Sequence, residues 1–330
     1  MKEVAFSEKE CNVNLLKGKK VCVVGYGIQG RAQALNLRDS SVDVTIANKD
    51  DDYLKKAIED GFNIISFEEV TKVSDVVMLL IPDGAHEGFI ERYYTDKHKE
   101  GSLLIFAHGY GLRFASLEIP VDVDIAMIAP RYPGKQIRDS YLEGGGVPAF
   151  VDIVKDCSGN CKNLALAVCD GIGFSKGGLL NVSYKEEAEV DLFIEQFMAP
   201  LFYSAVENSM KMLNERGYSN MVSCLELYFS GELGAVRTMM AQKGMYYAFK
   251  NNASPTCQYG VASRIDDIFV EELKDQMEYS LDRIVSGEFA KDLQIEQSLN
   301  YPTLKKFYKD RENSLINKSE KEIQKYINKG

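Results

Sequence analysis

The run Val21-Cys22-Val23-Val24-Gly25-Tyr26-Gly27-Ile28-Gln29-Gly30 constrains the fold of this chain more than any other stretch. Four apolar residues lead into a GxGxxG spacing, and a helix-like segment, 31–38, follows at once. In that context each glycine has its own task. Gly25 permits a tight turn, Gly27 lets the backbone approach a pyrophosphate, and Gly30 allows close packing of helix on sheet. The helix start then offers unpaired N–H groups and partial positive charge to phosphates. The pattern predicts a dinucleotide-binding βαβ unit of the Rossmann type.

The rest of the first half fits that unit. Apolar runs at 21–25, 42–47, 76–81, 103–107 and 125–129 alternate with segments long enough to cross over between parallel strands. Together they predict a doubly wound parallel sheet. A further run at 148–154 adds a strand, followed by a helix over 161–171 and a glycine-containing turn over 171–178. From about 183 the texture changes, and 186–215, 221–251 and 265–289 show helical spacing without strand-like alternation. The expected organisation is a dinucleotide-binding domain at 1–182 and an all-helical domain at 183–330. The lysine-rich segment 317–329 is expected to be a solvated terminal helix.

Length and composition narrow the partners. At 330 residues the chain has room for two cores, and 45% apolar with 27% charged residues is an ordinary globular balance. A net charge of -10 argues against a nucleic-acid backbone as partner and favours a small or metal-bound ligand. No apolar run is long enough to span a bilayer, and the first ten residues lack the order of a signal peptide, so a cytoplasmic location is expected. The seven cysteines are scattered without metal-site spacing and read as structural thiols.

Two sites of chemistry emerge. The second strand of the sheet ends Ile46-Ala47-Asn48-Lys49 and is followed by Asp50, Asp51 and Asp52. Lys49 would attract a 2′-phosphate, whereas the carboxylates, with Asp52 singled out, would repel it, so NADH is expected over NADPH. Asp83 and Gly134 complete the cofactor-binding candidates, with Gly25, Tyr26, Gly27, Ile28, Gln29, Gly30 and Lys49. At the start of the helical half, Asp191 and Glu195 lie one turn apart, a spacing suited to Mg²⁺ and equally to a solvated acidic face.

The stretches 15–40, 76–83, 106–114 (FAHGYGLRF), 122–130, 186–196 (EEAEVDLFIEQ) and 287–292 together resemble ketol-acid reductoisomerase, in its short-subunit form, over almost the whole chain. That enzyme of branched-chain amino-acid biosynthesis isomerises and reduces acetohydroxy acids. The resemblance implies a knotted helical domain, at least a homodimer, and two Mg²⁺, with Asp191 bridging the ions and Glu195 bound to one. It implies that His108 is the active-site histidine and that Ser254 holds the substrate carboxylate. Glu226, or Glu232, would complete the metal site of the neighbouring subunit.

Three departures bear on activity. The family's IAPKGPGH reads here Ile128-Ala129-Pro130-Arg131-Tyr132-Pro133-Gly134-Lys135, so the catalytic lysine is Arg131 and a glycine is Tyr132. Arginine keeps its charge but does not give up a proton near neutral pH. The second metal-binding glutamate pair is broken: Glu226 aligns without a gap and puts Ser230 where the second carboxylate should be, or Glu232 aligns with a two-residue insertion and Tyr228 replaces its partner. In the cofactor loop Asp52 and Leu54 replace serines. The implied activity is NAD(P)H- and Mg²⁺-dependent isomerisation and/or reduction of a small 2-hydroxy-ketone or 2-keto acid, with the isomerase step impaired. Alternatives are a reductase acting on a different small keto acid and a catalytically silent dinucleotide-binding paralogue.

Overall fold

The computed structural model describes residues 4–94, 98–268 and 271–326. By its internal contacts the chain divides into a unit Met1–Val190 and a unit Asp191–Gly330.

Among its described residues the first unit is built on nine strands: β1 (Ala5–Phe6), β2 (Lys20–Val24), β3 (Asp43–Ala47), β4 (Asn63–Ile64), β5 (Val76–Leu79), β6 (Leu103–Phe106), β7 (Asp124–Pro130), β8 (Ala149–Lys155) and β9 (Leu179–Asn181). They form one sheet in the order β1-β9-β8-β7-β6-β5-β2-β3-β4. From β7 to β4 the neighbours are parallel, as the sequence predicts. The run at 148–154 does form a strand, but β8 is antiparallel to β7, and the two short strands β1 and β9 were not anticipated.

Strand alternation places the core on both faces. Val21, Val23, Val76, Met78, Leu103 and Ile105 join one buried cluster, and Cys22, Val24, Val77, Leu79, Leu104 and Phe106 join the other. Helices close both layers: α1 (Ile28–Asp39), α2 (Asp52–Glu59), α3 (Phe67–Val73), α4 (His86–Tyr93), α5 (Tyr110–Phe114), α6 (Gly134–Leu142), α7 (Cys161–Ile172) and α8 (Phe174–Gly177). Sequence order reverses between β2 and its neighbour β5, and the crevice beyond the carboxyl ends of such strands is where α/β sheets bind ligands.

Helix α9 (Tyr184–Phe193) carries the chain across the boundary into the second unit. That unit is helical among its described residues: α10 (Ala199–Glu215), α11 (Asn220–Cys224), α12 (Glu232–Lys243), α13 (Met245–Asn252), α14 (Pro255–Ala262), α15 (Ile265–Ile268), α16 (Glu271–Val285), α17 (Glu288–Ser298), α18 (Pro302–Arg311) and α19 (Leu315–Ile323). The three long stretches expected from periodicity are broken. A π turn, Ile194–Met198, separates α9 from α10, and a second, Leu225–Phe229, follows α11. Gly231 and Gly244, with φ of 89° and 93°, end the next segments, because left-handed backbone cannot continue an α-helix. Residues 269–270 of the 265–289 stretch, and the end of the 317–329 segment, lie outside the described residues. No described helix is long and apolar enough to cross a membrane.

Candidate functional site

The glycine loop after β2 separates packing from ligand binding. A Cβ on Gly25, where φ is 97°, would lie 2.6 Å from the Leu80 carbonyl oxygen, and one on Gly30 would lie 1.9 Å from that of Gly25. Both positions demand glycine for the fold itself. A Cβ on Gly27 would meet no protein atom within 4 Å, so space is kept open there in front of the helix. Gly27 caps α1 without a side-chain hydrogen bond, which leaves the first-turn N–H groups facing that space.

This loop borders a cleft of about 770 Å³ at the switch point, reached by Gly25, Gly27, Ile28 and Gln29 after β2, Asn48, Lys49 and Asp51 after β3, and Ile81 after β5. Asp51 is fixed in its wall. Its carboxylate caps α2, accepting from the backbone of Tyr53 at 2.9 Å and Leu54 at 3.2 Å, and from the Asn48 amide at 2.8 Å. Lys49 lies 3.7 Å from its other oxygen. The acidic group presented to the cleft is therefore Asp51; Asp52, one residue on, is 96% exposed, pairs with Lys55 and does not line the cleft.

Three other cofactor candidates, Tyr26, Gly134 and Asp83, lie around this loop and cleft. Tyr26 turns into the core: its hydroxyl donates to Asp60 at 2.9 Å, and Asp60 also holds Arg31 at 2.6 Å. Burial pushes that phenol well above its ordinary pKa. What Tyr26 offers the loop is its backbone N–H, anchored to the Asn48 side chain at 2.9 Å. Gly134 is explained by packing, since a Cβ there would lie 2.0 Å from the Ile28 carbonyl where α6 meets α1. Asp83 starts a short 3-10 turn between two cleft residues, Pro82 and Ala85, with its carboxylate 3.9 Å from Nδ1 of the buried His86.

Next along the sheet edge, the ends of β6 and β7 present His108 and Arg131, and α9 brings Glu187 between them. Glu187 is buried, at 1% exposure. One oxygen accepts from His108 Nδ1 at 2.8 Å and from the Gly109 N–H at 2.7 Å, and the other accepts from Arg131 at 2.7 Å. Burial pushes this carboxyl up, but His108, the Gly109 N–H and Arg131 outweigh it and hold it below its ordinary value. Gly109 makes the approach possible, because a Cβ there would lie 2.0 Å from the Tyr184 carbonyl. Arg131 also bonds the Ala129 carbonyl and stacks 4.7 Å over the Phe150 ring, so its fork is held flat.

Glu187 was missed from the sequence, although a signal existed: Glu187, Asp191 and Glu195 follow one another at four-residue steps and so share a helix face. One turn on from Glu187 along α9 stands the half-buried Asp191. The unit boundary falls inside α9, so Asp191 rides on the same continuous helix.

Residues 15–178 match the family model for the NADPH-binding domain of acetohydroxy acid isomeroreductase, and residues 184–329 match that for the C-terminal domain of ketol-acid reductoisomerase. The chain belongs to the ketol-acid reductoisomerase family. It is 34% identical over 324 residues, 98% of each chain, to a ketol-acid reductoisomerase (NADP(+)) of Pyrobaculum aerophilum. A solved NADH-preferring ketol-acid reductoisomerase from an uncultured archaeon superposes with a TM-score of 0.91 at 30% identity, covering 98% of this chain and 99% of its own. A pyrroline-5-carboxylate reductase of Coxiella burnetii, at 14% identity and a TM-score of 0.58 over 81% of this chain and 97% of its own, shares the fold alone.

For a ketol-acid reductoisomerase the remaining question is the metal. Glu187 already serves three donors, and Nδ1 of His108 is turned to it. A hard cation needs oxygen donors, a type that Asp191 and, one turn further on the π turn, the exposed Glu195 both carry. π turns recur at functional positions in helices. Glu226 stands on the other π turn and is likewise exposed. In the register with the insertion, Gly231 interrupts the chain between Tyr228 and Glu232 and the Tyr228 hydroxyl is bonded to Glu320; in the gapless register Ser230, which is no carboxylate, follows Glu226 by four residues. Ser254 caps α14, its hydroxyl accepting from the Cys257 N–H at 3.2 Å.

Proposed function

We propose that the chain is a nicotinamide-dinucleotide- and Mg²⁺-dependent enzyme of the acetohydroxy acid type, in which reduction of a 2-keto acid is better preserved than the preceding alkyl migration. The observation that carries this reading is the buried Glu187 holding both His108 and Arg131 beside the dinucleotide cleft. Asp191 and Glu195 are the groups that would hold Mg²⁺, whose chemistry when bound is to polarise a ketone and stabilise alkoxide charge.

The chain's own residues supply the rest. The open loop at Gly27 and the uncapped α1 start bind the pyrophosphate. Glu187 orients the His108 ring by accepting at Nδ1. Arg131 contributes permanent charge but no proton, so a proton relay through its position is closed, and isomerisation depends on such a relay more than hydride acceptance does. Ser254, at the start of α14, is assigned to the substrate carboxylate by the family resemblance. The fixed Asp51 carboxylate opposes a 2′-phosphate and favours NADH over NADPH.

Assembly as a homodimer or larger homo-oligomer belongs to the same reading. Helices α12, α14 and α18 bury no residue within the chain, and Tyr246 and Tyr259 are 77% and 75% exposed. Helices of that kind gain their stability from a partner surface. With Mg²⁺, the purified protein is expected to oxidise NADH faster than NADPH on 3-hydroxy-3-methyl-2-ketobutyrate, and to turn over 2-acetolactate at least about tenfold more slowly. Equal rates on the two substrates would remove the claim of an impaired isomerase step, and no oxidation with either would favour the silent dinucleotide-binding reading.

A further inference from the structure

We propose that Arg92 forms one face of the adenine slot in the dinucleotide cleft and sets affinity for the adenosine half of the cofactor. The inference rests on the reading that this cleft holds a nicotinamide dinucleotide, and it names how the far end of that ligand is gripped.

The cleft has a direction. Its glycine loop faces the pyrophosphate, and Asn48, Lys49 and Asp51 stand where a Rossmann domain meets the adenosine ribose. The opposite wall comes from α3 and α4 and is aromatic, made by Phe67, Phe89 and Tyr93. These rings brace one another, with centroids 5.8 Å apart for Phe67 and Phe89 and 5.0 Å for Phe89 and Tyr93. Arg92 belongs to the same wall, its guanidinium carbon 5.4 Å from the centre of the Tyr93 ring.

The surroundings of Arg92 differ from those of the other arginines in its unit. Arg31, Arg38, Arg113, Arg131 and Arg138 each pair with a carboxylate. Arg92 makes no ion pair among the described residues, and its contact with Tyr93 is through the ring face. A guanidinium is planar, weakly hydrated and able to stack on both sides. With no carboxylate among the described residues to turn it edge-on, one side can rest toward Tyr93 and the other toward the cleft. The complementary ligand surface is a flat, electron-rich heterocycle, which adenine provides. A second anion is the poorer match, because Asp51 is fixed in the same cleft.

Fluorescence titration with NADH, NADPH and reduced nicotinamide mononucleotide, which lacks adenosine, separates the possibilities. Arg92→Ala should weaken NADH and NADPH alike by about tenfold. It should leave the mononucleotide and the melting temperature unchanged. Arg92→Lys, which keeps charge without a stacking plane, should behave as Arg92→Ala. Unchanged NADH affinity in Arg92→Ala would overturn the inference. So would equal weakening of the mononucleotide, loss confined to NADPH, or rescue by lysine. If the unsubstituted protein binds no dinucleotide, the cleft reading falls and takes this inference with it; if it binds NADH and Arg92→Ala binds equally well, only the role of Arg92 falls.

Discussion

Glu187→Gln is expected to lower kcat/KM for cofactor oxidation by about two to three orders of magnitude and to destabilise the fold by roughly 2–4 kcal/mol. Glutamine matches the shape but not the charge. The part-buried guanidinium of Arg131 would lose its counter-ion, and the His108 ring its charged orienting partner, while the Gly109 N–H would retain an acceptor only if the amide oxygen faces it. The sign of the pH dependence follows from the same contacts. Because the folded pKa of Glu187 lies below its ordinary 4.5, its ionised form stabilises the protein fully above that value. That contribution is lost as pH falls through the folded pKa. Denaturant melts of the wild type should therefore lose stability below about pH 4.5, and Glu187→Gln should show a shallower acid limb. Identical acid limbs together with unimpaired turnover would show that the buried carboxylate is not the hub described.

A paired substitution in the loop gives the second large effect. Gly30→Ala drives a Cβ to 1.9 Å from the Gly25 carbonyl oxygen, backbone against backbone, where no rotamer change gives relief. The helix must move off the sheet, at a cost of about 1–3 kcal/mol, and dinucleotide affinity should fall with it. Gly27→Ala meets nothing in the protein, so its stability should stay within about 1 kcal/mol of wild type, the scale of a changed cap residue. Its NADH affinity should nevertheless drop by about tenfold or more, because the methyl group occupies the space kept for the phosphates. Thermal melts with NADH titrations check the pair. An unchanged affinity in Gly27→Ala would mean that the open space is not the phosphate cradle.

The sheet was legible because its strands are buried on both faces and read as unbroken apolar runs, such as Val76–Leu79 and Leu103–Phe106. The glycine loop was legible for a related reason, since Gly25 and Gly30 answer to local sterics that any occupant of that turn must obey. What escaped depends on contacts distant in sequence. Glu187 looks like a surface acid until α9 docks it on His108 and Arg131, 79 and 56 positions away. Asp51 and Asp52 are chemically equivalent in sequence, and only the helix cap selects Asp51 to face the cleft. Tyr26 lies inside the motif yet points away from the ligand side, because its hydroxyl is drawn to Asp60. The π turns at Ile194–Met198 and Leu225–Phe229 keep apolar spacing close to that of an α-helix and so left no mark in the periodicity.

The decisive measurement is a Mg²⁺ titration by calorimetry of wild type and Asp191→Asn, each saturated with NADH, with cofactor oxidation on 3-hydroxy-3-methyl-2-ketobutyrate followed in the same samples. The account predicts a Mg²⁺ isotherm and turnover in the wild type, and loss of both in Asp191→Asn with NADH binding intact. Undiminished Mg²⁺ binding and turnover in Asp191→Asn would contradict it.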